Sequence, residues 1–192
     1  RKIEQNIRKG FRSKLFAEIS CVPTKKTKYM SNIGFDMRNY TPIFPTLIWA
    51  NRLAGATSLG NNRLIYYMGG VDNWIFAKFD QSTPIDTKVN YAYQTLATNM
   101  RGFSQNIRNG SNFIVFSTEL RWQIFQCIAN RPLRNNFIRT FQLIGFFDAG
   151  TAWEGKSPYD KNNAFYIRTI SSGSNLLLTD TSNVTTMVAM FE

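Results

Sequence analysis

The residues of this chain that could do chemistry are few, and they are charged rather than nucleophilic. A short basic signature, Met100-Arg101-Gly102-Phe103, precedes an alternating run that carries Glu119 and Arg121, and a later run ends at Asp148. Asp36 and Arg38 lie two residues apart in an earlier run, close enough to pair or to meet water on one face. A guanidinium presents a planar fork of donors that suits a carboxylate, so this set is equipped for ion pairing. It is poorly equipped for turnover. Histidine is absent altogether, which removes the commonest general base and metal ligand. No nucleophile sits with a base, no carboxylate pair has recognisable spacing, and no glycine-rich phosphate loop precedes a helix. Neither an enzymatic activity nor a cofactor or metal is therefore expected. Cys21 and Cys127 are far apart and lack metal spacing, which reads as two free thiols with a disulfide unsupported.

The elements that must position these groups read as strands. From Asn112, the residues Asn112, Ile114, Phe116, Thr118, Leu120 and Trp122 fall on one face, and Phe113, Val115, Ser117, Glu119 and Arg121 on the other. Gly10 to Ser20 sets Phe11, Leu15 and Ile19 against Arg12, Lys14 and Glu18, and Tyr29 to Tyr40 sets Ile33, Phe35 and Met37 against Asp36, Arg38 and Tyr40. Pro42 and Pro45 are expected to end that strand. Thr46 to Ser58 is a further strand of ambiguous parity, with Leu47, Trp49 and Leu53 sharing a face with Asn51 and Ile48, Ala50 and Ala54 one with Arg52. Arg52 inward is favoured with Asn51 as an exception, and Gly55, Gly60 and Asn61-Asn62 turn the chain into RLIYYMGG. From residue 69 to about 110 the periodicity disappears, leaving a loop of roughly forty residues, far beyond the usual length. Its aromatics, Trp74, Phe76, Phe79, Tyr91 and Tyr93, argue that it packs against something. Asn130 to Asn136 (NRPLRNN) reads as a basic turn and Thr140 to Gly150 as another strand; residues 154–192 are poorly patterned, with weak strands at Leu176 to Leu178 and Val184 to Phe191. A strand face that tolerates charge opposite one rich in large apolar groups suits a half-buried sheet, or lipid on one side and a polar lumen on the other.

Lys and Arg outnumber Asp and Glu by 23 to 12, a formal +11, which suggests an anionic neighbour such as nucleic acid or lipid head groups. The short lysine group Lys25, Lys26 and Lys28 reads as a solvated turn. A hydrophobic content of 43% permits one domain with a real core. There is no secretory signal and no apolar run of membrane-helix length, and the start at Arg1 reads as an interior piece of a longer protein.

MRGF inside a long loop, Glu119 on the strand after it, FFDAGTAW on the next strand and GATSLGNNRLIYYMGG before the loop together resemble the C-terminal barrel of the BamA/TamA-like bacterial surface-antigen family, from about Phe11 to Trp153. In that family the loop folds back into the lumen of a sixteen-stranded outer-membrane barrel, and the Arg of an [VI]RG[FY] motif reaches acidic residues on the wall. The resemblance implies an all-β fold, an antiparallel transmembrane β-barrel here represented by a partial barrel over residues 1–153 with an inward-folding loop at 69–110. It implies a loop-lock motif of Arg101, Gly102 and Phe103, lumenal acidic partners Glu119 and Asp148, and Phe146 as a supporting aromatic. Insertion or translocation of other proteins at the bacterial outer membrane would follow. The partners would be outer-membrane lipid, the remainder of the barrel, client polypeptides and accessory lipoproteins, with no nucleic acid. The alternative is a soluble basic all-β nucleic-acid-binding module, with aromatics stacking on bases and arginines on phosphates.

Overall fold

A computed structural model describes residues 7–23, 27–71, 75–76, 78–83, 85, 90–129, 138, 141–159, 163, 167–169 and 177–179. Alternation becomes five long strands: β1 (Gly10–Val22), β2 (Lys28–Phe44), β3 (Leu47–Gly60), β7 (Asn112–Trp122) and β8 (Leu143–Trp153). They form one antiparallel sheet in the order β1-β2-β3-β7-β8. Between β3 and β7 the chain makes a second sheet, β5 (Tyr91–Leu96), β4 (Arg63–Met68) and β6 (Arg108–Gly110), in the order β5-β4-β6. The pairing of β4 with β5 is parallel and that of β4 with β6 antiparallel.

Register decides which residues share a face, because directly opposed residues in a ladder point the same way. Arg12, Arg38, Arg52, Ser117 and Asp148 form one row across all five strands. Tyr40, Ala50, Glu119 and Phe146 form the adjacent row. Toward the other end of the same face Gly34, Ala56, Phe113 and Ala152 align. The small sheet packs on this apolar end. Met30, Ala56, Phe113, Val115 and Ala152 are buried there against Leu64, Tyr66 and Met68 of β4 and Met100 and Phe103 of the following segment. The Tyr66 ring meets Phe113 edge-on at 4.8 Å, and its hydroxyl donates to Asn32 Oδ1 at 2.6 Å, joining the two sheets through a buried bond. Burial pushes the Tyr66 phenol up to about 12 even though the Asn32 bond acts against the shift. One face of the large sheet is thus half core and half charged.

The opposite face carries Phe11, Leu15 and Ile19 of β1, Met37 of β2, Leu53 of β3 and Phe116 and Leu120 of β7, all exposed. Leu15 and Ile19 are 76% and 82% exposed, and no described element covers them.

Several expectations change here. The described sheet ends at two edges, β1 and β8, and does not close, so the transmembrane barrel is not what these residues build. Among the described residues no helix is long and apolar enough to cross a membrane. β2 runs through Pro42 to Phe44, with a register shift between Pro42 and Phe44; a bulge lets an imino residue sit where a regular ladder would need its N–H. Segment 69–110 is not featureless, since β5 and β6 lie within it. Their hydrogen bonds come from β4, a tertiary partner that no local periodicity announces. A short helix, α1 (Ile124–Ile128), follows β7, and β9 (Ile167–Thr169) pairs antiparallel with β10 (Leu177–Thr179). The Lys25-Lys26 turn, the NRPLRNN turn and the strand at Val184 to Phe191 lie outside the described residues.

Candidate functional site

The antiparallel register of β7 and β8 sets Ser117 opposite Asp148 and Glu119 opposite Phe146, so Glu119 and Asp148 are diagonal neighbours on the charged half of the face. Arg101 is brought to them by a turn closed on Gly70. Gly70 N–H donates to Phe103 O at 2.8 Å, and Met100 N–H to Gly70 O at 2.9 Å. Met100 and Phe103, buried on either side of Arg101, anchor the turn in the core and leave the guanidinium facing the acids. Gly69 and Gly102 have φ of +98° and +80°, a region that an L side chain enters at a cost. A Cβ on Gly69 would stand 2.0 Å from Ser104 O, whereas one on Gly102 would meet nothing within 4 Å. Gly102 therefore serves by its φ and not by a close backbone approach.

Arg101 makes four polar contacts to two carboxylates. Its backbone N–H and Nε donate to Asp148 Oδ2 at 3.0 and 2.9 Å, Nη2 donates to Asp148 Oδ1 at 2.9 Å, and Nη1 donates to Glu119 Oε1 at 2.6 Å. The guanidinium carbon lies 4.0 Å from the centre of the Phe146 ring, so the fork is stacked as well as bonded. The Asp148 side chain is 2% exposed. Burial alone would raise its carboxyl, but the hydrogen bonds from the Arg101 side chain and backbone outweigh this and hold it below the ordinary carboxylate value. Glu119 behaves likewise: burial raises it, Arg121 and then Arg101 pull it down, and the net direction is downward.

A second cluster lies beside the first. Asp36 accepts from Arg38 Nε and Nη2 at 3.0 and 2.9 Å and from Arg52 Nε and Nη2 at 3.3 and 2.8 Å. The Arg38 bonds, aided by those of Arg52 and opposed by burial, depress its carboxyl strongly. Arg121 donates Nε to Glu119 Oε2 at 2.8 Å, and its guanidinium stands 5.8 Å from the Tyr40 ring. Between these groups is a cavity of about 330 Å³ lined by Arg38, Tyr40, Arg52, Asn99, Arg101 and Arg121 among others. Arg38, Arg52 and Arg121 each engage a carboxylate through Nε and Nη2, and the Arg38 side chain also interacts with the Tyr40 hydroxyl. Three guanidinia are thus fixed in place around the cavity.

The structure therefore brings Arg101, Glu119, Asp148 and Phe146 into contact and puts Phe103 in the core below them. Sequence reading placed Asp36, Arg38, Arg52 and Arg121 on charge-tolerant faces without joining them into a cluster, because the joining depends on register between four strands. Of the aromatics expected to pack the long segment, Phe79 meets Tyr67 edge-on at 5.3 Å, whereas Phe76 is 80% exposed and Tyr93 50% exposed; Trp74 lies outside the described residues. Both cysteines are free and exposed. Among the described residues no cluster of His, Cys, Asp or Glu could hold a metal ion.

Comparison with known proteins changes the functional reading. No family model matches the chain, and no curated protein and no solved structure is similar to it. With no family match and an open described sheet, the identification with the BamA/TamA-like barrels does not stand. The inferred protein insertion or translocation goes with it, as do the outer-membrane location and the lipid, barrel-remainder, client and lipoprotein partners that rested on that identification. The expectation of no nucleic acid loses the support of that identification.

Proposed function

We propose that the chain is a non-catalytic binding module whose charged sheet face takes single-stranded nucleic acid, with phosphates on Arg38, Arg52 and Arg121 and a base on Tyr40. The observation that carries this reading is the set of three guanidinia, each anchored on a carboxylate, that line one cavity. Carboxylate anchoring removes rotamer freedom before the ligand arrives, which lowers the entropic cost of binding. The carboxylates do not cancel the field completely: Arg38, Arg52, Arg101 and Arg121 face Asp36, Glu119 and Asp148, and Arg12 continues the row onto β1. A flexible single strand fits better than a duplex, because a base must reach a half-buried ring while its phosphates follow the arginine row. The Arg101 clamp has a supporting part here: it holds segment 97–103 as one wall of the cavity.

The test is fluorescence anisotropy of a labelled oligothymidylate over a salt series, with a duplex of equal length for comparison. Binding should weaken linearly in log affinity against log salt, and the duplex should bind more weakly. R38Q and R121Q should each lower affinity several-fold and reduce the salt slope by about 1. Both variants leave each carboxylate one arginine partner, so the fold is retained. No binding of the oligonucleotide at low salt, or binding unchanged by both substitutions, overturns the assignment.

A further inference from the structure

β1 is the most exposed regular element of the large sheet: twelve of its thirteen residues are exposed, and Phe16 is half-buried. It pairs with β2 along its whole length with no register shift, and its other edge has no hydrogen-bonded neighbour among the described elements. A long regular edge without proline or bulge is a template for another strand, and proteins normally blunt such edges. What β1 offers along that edge is charge written in two signs. Arg12 and Lys14 lie on one half of its polar face, and Glu18 lies on the other half.

From this pattern we infer that two copies of the chain associate through β1, antiparallel about a two-fold axis, with Glu18 of each copy opposite a cation of the other. In a symmetric antiparallel pair the numbers of opposed residues have a constant sum, and the two-fold makes every contact occur twice. Centring the axis on Leu15 sets Arg12 opposite Glu18 of the second copy, Phe11 opposite Ile19 and Ser13 opposite Ala17. Centring it on Phe16 sets Lys14 opposite Glu18 instead, with Phe16 opposite its own copy. Centring it on Lys14 would oppose two lysines, which disfavours that register. The Leu15-centred register opposes Phe11 to Ile19 and Leu15 to its own copy on the other face, where they are now exposed, whereas the Phe16-centred register sets Leu15 opposite Ala17 and Ile19 opposite Ser13. Strand-edge hydrogen bonds supply the attraction, and the Glu18 pairs select the two-fold partner and its register.

Sedimentation velocity on the full chain over a concentration series tests this, with far-UV circular dichroism to check folding. The wild type should shift from monomer to dimer as concentration rises. Glu18 is exposed, so E18K should fold normally. It removes two attractions and introduces two repulsions, which should weaken association about tenfold. A charge swap then reports the axis: R12E/E18K restores association if Leu15 is central, and K14E/E18K restores it if Phe16 is central. In a C21S/C127S background, oxidative cross-linking of L15C or of F16C should agree with the swap. A chain that stays monomeric to about 100 μM, or a dimer indifferent to E18K, overturns the inference. Neither outcome bears on the oligonucleotide measurement, whose substituted residues, Arg38 and Arg121, lie on β2 and β7.

Discussion

At the scale of single residues the molecule turns on Arg101. Asp148 is almost wholly buried, with three donors supplied by Arg101 and a fourth by Ser117. Removing one partner of a buried pair leaves the other charge uncompensated, a larger loss than the pair itself is worth. R101A should therefore destabilise the protein by about 2–4 kcal/mol in urea denaturation, a range that allows for the partial exposure of the guanidinium. R101K should fall between, because an ammonium keeps the charge but loses the fork and the stack on Phe146. The sign of the pH dependence follows from the carboxyls. Asp36, Glu119 and Asp148 all titrate below their ordinary values in the folded chain. Their contribution is complete above the ordinary carboxylate range near 4 and is lost as pH falls through the lower folded values. Melting temperature should be level from pH 7 to about 5 and decline below that. R101A should decline less steeply, since two of the three carboxyls then titrate closer to normal; a parallel decline would contradict the clamp.

At the scale of elements the decisive feature is a turn that crosses from one sheet to the other. Segment 97–103 leaves β5, closes on Gly70 and delivers Arg101 between β7 and β8. Its two glycines differ in kind, and that difference can be measured. G102A adds only the cost of a left-handed φ, about 1 kcal/mol. G69A adds the same cost and drives a methyl into the Ser104 carbonyl, so the turn itself must shift. Denaturation should rank G69A well below G102A. Hydrogen exchange at Met100 and Phe103 should quicken in G69A and stay near wild type in G102A. The alternation of the five strands was legible in the sequence, and so was the loss of periodicity from Gly69 onward. The strands β5 and β6 were not, because Tyr91–Leu96 and Arg108–Gly110 owe their extended form to β4 and carry no alternation strong enough to declare it.

At the scale of the whole molecule, an open sheet has one face that is half core and half charge and another that is apolar and exposed. Met37, Leu53 and Phe116 are directly opposed across β2, β3 and β7, a row of large apolar groups in contact with solvent. Contiguous exposed apolar surface of this kind is uncommon on a folded chain. The native protein should accordingly bind a dye sensitive to apolar surface while its near-UV circular dichroism shows fixed aromatic packing. L53S/F116S should lower that signal several-fold and leave the Tyr66–Phe113 core undisturbed, since those residues point to the opposite face. Dye binding unchanged by the substitutions would place the apolar surface elsewhere.

The sequence by itself determined that the main regular elements are strands and which residues share a face on each of them, because side-chain direction alternates with a period that neighbours cannot alter. It also determined that Arg101, Glu119 and Asp148 stand on segments able to carry charge. Only the tertiary structure decided that Arg101 spans both acids over Phe146, that Asp36 gathers Arg38 and Arg52 beside them, and that the described strands end in two open edges. These depend on the register between strands far apart in the chain and on whether the last strand meets the first. Neither quantity has a local signature: a sheet that closes and a sheet that stays open can be written with the same alternation.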